Sequence, residues 1–105
     1  MGQYLIHNNV ISDYFSENFS ESAMSFIASV IDAVPVISVI TQIEALSWVN
    51  KDKDKEKSVR DFVADANILM LTDDIVNKCV AIRRRRKTKT PDAIIAATAI
   101  AHDLS

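Results

Sequence analysis

The chain has 105 residues, 49% hydrophobic and 25% charged, which is one soluble domain's worth of sequence around a single core. Lys and Arg total 12 and Asp and Glu 14, a net charge of −2, so bulk charge does not point to nucleic acid. One cysteine (Cys79), no apolar run long enough for a membrane span and no basic-then-apolar leader exclude an internal disulfide, a membrane partner and a signal peptide, and make the cytoplasm the expected location.

Residues 3–6, Gln-Tyr-Leu-Ile, read as a short buried strand ending at His7. A short helix follows over Val10–Phe15. Ser20–Ala33 places Ala23, Phe26, Ile27, Val30 and Ile31 at helical spacing. Val34–Ile40 is rich in β-branched residues and reads as a second strand. Thr41–Val49 reads as a helix with Ile43, Leu46 and Trp48 or Val49 facing inward. Lys51–Lys57 alternates cations with acids and is a solvated turn or an exposed helix start. Val59–Ala66 is helical, with Val59, Phe62 and Val63 apolar, and Asn67–Leu71 is a third strand. A helix over Asp73–Arg86 buries Ile75, Val76, Cys79, Val80 and Ile82. A last helix, rich in Ala and Ile, covers Pro91–His102. The single Gly and two Pro residues exclude glycine-rich phosphate cradles.

Short apolar strands alternating with helices predict an α/β domain with a parallel sheet, helices on both faces and right-handed crossovers. The strand signals speak against a helix-turn-helix repressor. In such sheets functional groups gather where strands end and helices begin. His7, Asn8 and Asn9 follow the first strand, Glu44 the second, Asp73 and Asp74 the third, and Asp92 opens the last helix. Each has a local structural use. Asn9 fits an N-cap. Thr41 through Glu44 fits a capping box. Thr90-Pro91-Asp92 fits an N-cap, a first-turn proline and an acid favoured by the helix dipole. Together, acids brought to one end of a sheet suit a hard divalent cation and phosphodiester hydrolysis.

Arg83-Arg84-Arg85-Arg86-Lys87-Thr88-Lys89 carries six positive charges on a chain of net −2, so the remainder carries −8. The run lies at a helix C-terminus and directly before Asp92. Its bland reading is a solvated helix end; its functional reading is a grip on RNA phosphates beside the acids. With no aromatic residues interleaved, stacking on single strands is not expected.

Three segments resemble the PIN-domain family, especially VapC-type toxins. Tyr4-Leu5-Ile6-His7-Asn8-Asn9-Val10-Ile11 is similar to its opening strand and turn, Ile40-Thr41-Gln42-Ile43-Glu44-Ala45-Leu46 to its second motif, and Thr90-Pro91-Asp92-Ala93-Ile94-Ile95-Ala96-Ala97-Thr98-Ala99 to its third. The resemblance spans essentially the whole chain as a single domain. It implies a three-layer α/β/α fold and a metal-dependent endoribonuclease whose partner is a cognate antitoxin. It places Glu44 and Asp92 as catalytic, metal-holding acids, with Asn9 and Thr90 orienting the site. Where the family has its first catalytic Asp, this chain has His7. The family's fourth acid follows a further strand, past Ser105, so the C-terminal strands are expected to be missing. Asp13 and Asp103 match neither position and are expected on the surface or in caps.

Two carboxylates and an imidazole supply half the charge of four carboxylates. Mg²⁺ or Mn²⁺ is therefore expected to bind weakly and activity to be impaired. A softer metal through His7, Glu44 and Asp92 is the companion expectation. The alternative function is a catalytically inactive PIN-fold protein that binds an antitoxin-like partner or RNA. Without further strands, Gln3–Ile6 is an exposed parallel edge, which predicts a homo-oligomer or helices closing over it. The family's usual dimerisation through helices is a second route.

Overall fold

The computed structural model describes residues 4–105. Its elements, in chain order, are α1 (Asn8–Phe15), α2 (Glu21–Asp32), β1 (Val36–Ser38), α3 (Val39–Leu46), α4 (Lys53–Asp65), β2 (Asn67–Leu69), α5 (Asp73–Arg85) and α6 (Thr90–Ala101). Strands β1 and β2 are parallel, with Val36 opposite Asn67, Ile37 opposite Ile68 and Ser38 opposite Leu69. Helices flank this short sheet in a three-layer α/β/α arrangement. No helix among the described residues is long and apolar enough to cross a membrane.

The opening segment joins the sheet more briefly than expected. Leu5 forms a single parallel bridge to Val36, and the Ile6 N–H donates to the Val36 carbonyl at 3.0 Å. Gln3, the first residue of the expected strand, lies outside the described residues. On its other side the Leu5 N–H donates to the Ser105 carbonyl at 2.9 Å. The expected free edge is therefore paired there within the chain.

Two cores hold the layers. Ile6, Ile11, Ile37, Ala45, Val59, Phe62 and Val63 form the first, joining α1, α3 and α4 to the sheet. Ile75, Cys79, Ala93, Ile94 and Ala97 form the second, between α5 and α6, with Ile40 packed against it. The expected inward residues of α4 are all buried. Its N-cap is Asp52, whose side chain accepts from the Asp54 N–H. Thr72 caps α5 by accepting from the Ile75 N–H, as its position before two acids suggests.

Helix α3 departs from the sequence reading in start and face. Its N-cap is Ser38, not Thr41. The buried Ser38 hydroxyl accepts from the Ile40 and Thr41 N–H groups at 3.1 and 3.2 Å. That cap ends β1 at Ser38, before Ile40 could extend it. The helix then starts earlier and presents Thr41 and Ala45, one turn apart, to the interior. These small residues permit close approach to the sheet. Ile43, Leu46 and Val49, expected inside, are exposed, whereas Trp48 packs on the first core. In α2 no residue is fully buried. Val30 and Ile31 lean on the core, while Phe26 is exposed and meets Tyr4 edge-on, ring centroids 6.0 Å apart.

After α6 the chain turns through Asp103, at φ 54°. The Leu104 N–H reaches back to the Ala99 carbonyl at 2.8 Å, the six-residue closure of a Schellman turn. Asp103 thus terminates a helix, in line with the structural role expected of it. Asp13 holds the turn after α1, accepting from Asn18 through backbone (2.9 Å) and side chain (3.5 Å).

Candidate nuclease site and its basic flank

The starts of α1 and α6 bring two of the sequence-identified residues, His7 and Asp92, face to face. His7 precedes α1, Glu44 lies on α3 and Asp92 lies in the first turn of α6. His7, rather than Asn9, is the N-cap of α1: its Nδ1 accepts from the Asn9 N–H at 3.0 Å. An accepting Nδ1 carries no proton, which leaves Nε2 as the nitrogen that bears one. Nε2 faces Asp92 Oδ1 at 3.7 Å, a contact too long for a hydrogen bond. The two side chains are 34% and 59% exposed, so water screens their interaction.

Glu44 is half-buried, and its Oε1 is fully buried without a hydrogen-bond partner. One turn earlier, Thr41 Oγ1 is in the same condition. Side chains three apart share a helix face, so two unpartnered oxygens lie on one side of α3. A buried carboxylate oxygen lacking a donor is an available acceptor for a cation or a water.

Glu44 and Asp92 are the right donor type for a hard divalent ion, but the whole set does not fit one. Among the described residues no group of three or more His, Cys, Asp or Glu side chains is placed to hold a metal. His7 does not complete the set. Its Nδ1 lone pair is spent on Asn9, and its Nε2 carries a proton. The imidazole can ligate a softer metal only by giving up the cap of α1.

Around this corner the other expected site residues take plainer positions. Asn9 is exposed, and its backbone rather than its side chain makes the turn's bond. Thr90 is the first residue of α6, not its cap; Lys89 occupies the cap position without a side-chain bond. A proline in the first turn lacks the N–H that a cap would satisfy.

Arg83, Arg84 and Arg85 form the last turn of α5, and Arg86 is its C-cap. Lys87 and Lys89 continue into the link to α6, and all six cations are exposed. Arg83 Nε donates to the Thr88 carbonyl at 3.2 Å, which folds the link back on α5. Six positive charges therefore lie one short connection from Asp92.

A PIN domain family model matches residues 4–105. A solved structure described as a toxin-antitoxin complex from Klebsiella pneumoniae is similar, with a TM-score of 0.78 and 31% sequence identity over 97% of this chain and 82% of that one. Comparison with curated proteins returns no match. PIN domains are generally nucleases that use divalent metals such as Mg²⁺ or Mn²⁺. With the family model spanning the described chain and the α/β/α layers in place, this chain belongs to the PIN domain family.

Proposed function

We propose that the chain is the toxin-type member of a toxin–antitoxin pair. In this reading it is a VapC-like endoribonuclease whose phosphodiester cleavage is weak. The observation that carries this reading is the placement of Asp92: exposed at the start of α6, facing His7, and one connection from six exposed cations. Oriented phosphates need cations, and a nuclease that reads backbone shape needs no stacking platform. The basic tract binds the RNA backbone, and Glu44 and Asp92 are the acids offered to Mg²⁺ or Mn²⁺. An imidazole at His7 in place of a carboxylate supports impaired rather than full activity. The Klebsiella pneumoniae neighbour supports a cognate antitoxin as partner, and the free Cys79 is compatible with work in the reducing cytoplasm.

A second reading, a PIN-fold protein that binds RNA or an antitoxin-like partner and cuts nothing, is favoured by His7. Its imidazole occupies the corner without offering a ligand. Both readings meet one experiment: cleavage of a structured RNA in Mg²⁺ and then Mn²⁺, beside Glu44→Gln. Slow cleavage that disappears in the variant supports the nuclease. Cleavage no faster than the variant's, with either metal, refutes it and leaves the binding reading.

A further inference from the structure

Between α5 and α6 the fold leaves an open groove of about 580 Å³. Val76, Val80 and Ile94 line it. The two valines, expected inside, are 40% and 50% exposed. Its charged lining is Arg83 and Arg84, and among the described residues no carboxylate lines it. Thr90 lines it too, two residues before Asp92 in the first turn of α6. The groove thus lies between the basic tract and the turn that carries the exposed acid.

Apolar walls with only cations at the rim suit a ligand with apolar flat faces and an anion beside them. A nucleotide has that form. An unpaired RNA base can splay out of its strand into such a groove and leave its phosphate outside among the arginines. We propose that the groove takes one unpaired guanine of the bound RNA. The proposal rests on the RNA reading above and adds to it a contact that reads sequence, where phosphate contacts only position the strand. The base packs on aliphatic side chains, so it needs no aromatic platform. The choice of guanine follows from the donors at the rim. An arginine fork donates and cannot accept. Guanine presents two adjacent acceptors, O6 and N7, whereas adenine sets an amino donor beside its N7. Arg83 is held for this role: its Nε donates to the Thr88 carbonyl at 3.2 Å, which fixes the fork and leaves its terminal nitrogens to donate. A fork already held loses less freedom when the base arrives.

The test uses the intact chain and a duplex RNA with a single bulged nucleotide, which is guanine, adenine or an abasic site. Affinities are read by fluorescence anisotropy with divalent ions chelated, so that nothing is cut, and circular dichroism shows that each variant folds. The guanine bulge should bind about tenfold more tightly than the abasic one. It should also bind about tenfold more tightly than the adenine bulge. Val76→Gln combined with Val80→Gln keeps the charge and suits a helix; it should bring the guanine-to-abasic ratio to about one. Arg83→Lys combined with Arg84→Lys keeps the charge but removes both forks; it should abolish the preference for guanine over adenine. Equal binding of the guanine and abasic duplexes overturns the proposal, leaves the phosphate grip standing and assigns the groove to a protein partner. Equal binding of guanine and adenine overturns it as well, as does a guanine preference that survives both pairs of substitutions. Failure to bind any of the three duplexes refutes the RNA reading and the groove with it. Base-dependent binding without cleavage in Mg²⁺ or Mn²⁺ upholds the groove and counts against the nuclease reading alone.

Discussion

Replacing His7 by Asp tests whether the imidazole disfavours a cation at this corner. Asp is a strong N-cap acceptor, so the bond from the Asn9 N–H is retained and α1 keeps its start. Nε2 now lies 3.7 Å from Asp92 Oδ1, and the shorter Asp would bring a second negative charge to about 5 Å. Two like charges at that distance repel by about 1 kcal/mol at the dielectric of water and about 3 kcal/mol at an effective constant of 20. Because both side chains are well exposed, the lower figure applies. The metal-free variant should therefore be about 1 kcal/mol less stable than the wild type. A divalent cation would reverse the sign, because it would screen the repulsion between the new carboxylate and Asp92. A dissociation constant of about 1 mM would give, at 10 mM Mg²⁺, about 1.4 kcal/mol of stabilisation. In a domain of this size that raises Tm by about 6 °C. Thermal melts of both proteins with and without 10 mM Mg²⁺, supported by calorimetric titration, read the effect. The wild type should shift by less than about 1 °C. An equal Mg²⁺ shift in the wild type, or none in His7→Asp, would refute the argument that the imidazole weakens the site.

Three further outcomes are expected. Arg85→Ala combined with Arg86→Ala should weaken RNA binding across sequences and flatten the plot of log affinity against log salt by about 1.4, for two lost contacts to a single strand; filter binding at several salt concentrations reads it. Ser38→Ala should cost about 1–3 kcal/mol in urea denaturation, because the buried hydroxyl serves two N–H groups at the start of α3. Glu56 Oε2 accepts from the Asn50 N–H at 2.6 Å and then from Lys53, and this holds its carboxyl below the ordinary 4.5. A depressed folded-state pKa adds stability above the unfolded value, and that increment is lost as pH falls through the folded value. Stability profiles of wild type and Glu56→Gln should therefore converge on acidification below 4.5.

Patterns with a period were legible in the sequence, whereas choices among polar neighbours were not. Val59, Phe62 and Val63 sit where helical spacing puts them, and Thr72 caps where a Thr before two acids should. Thr41 and Ser38 are both capable caps three residues apart, and only the end of β1 decides between them. Choosing Thr41 moved the start of α3 and with it the inward face, which is why Ile43 and Leu46 were misplaced. His7 and Asn9 posed the same choice at α1. Val76 and Val80 read as core because aliphatic residues usually are, and nothing local separates a buried stripe from one the fold leaves exposed. At the site, the order of His7, Glu44 and Asp92 was readable through the family resemblance. The burial of one Glu44 oxygen depends on tertiary packing that no spacing encodes.

His7 also separates the stability of this corner from any cation bound there. A carboxylate there would cap α1 equally well but would repel Asp92 by about 1 kcal/mol whenever the cation was absent. An imidazole keeps the cap, through a 3.0 Å bond, and adds no like charge beside Asp92. The α1 start is then insensitive to divalent ions, and the basic tract owes nothing to them either, since its geometry rests on α5 and on the Arg83–Thr88 bond. RNA binding should consequently survive removal of divalent ions by a chelator, while any cleavage should not. A loss of binding equal to the loss of cleavage would place the phosphate grip on the acids rather than on the arginines.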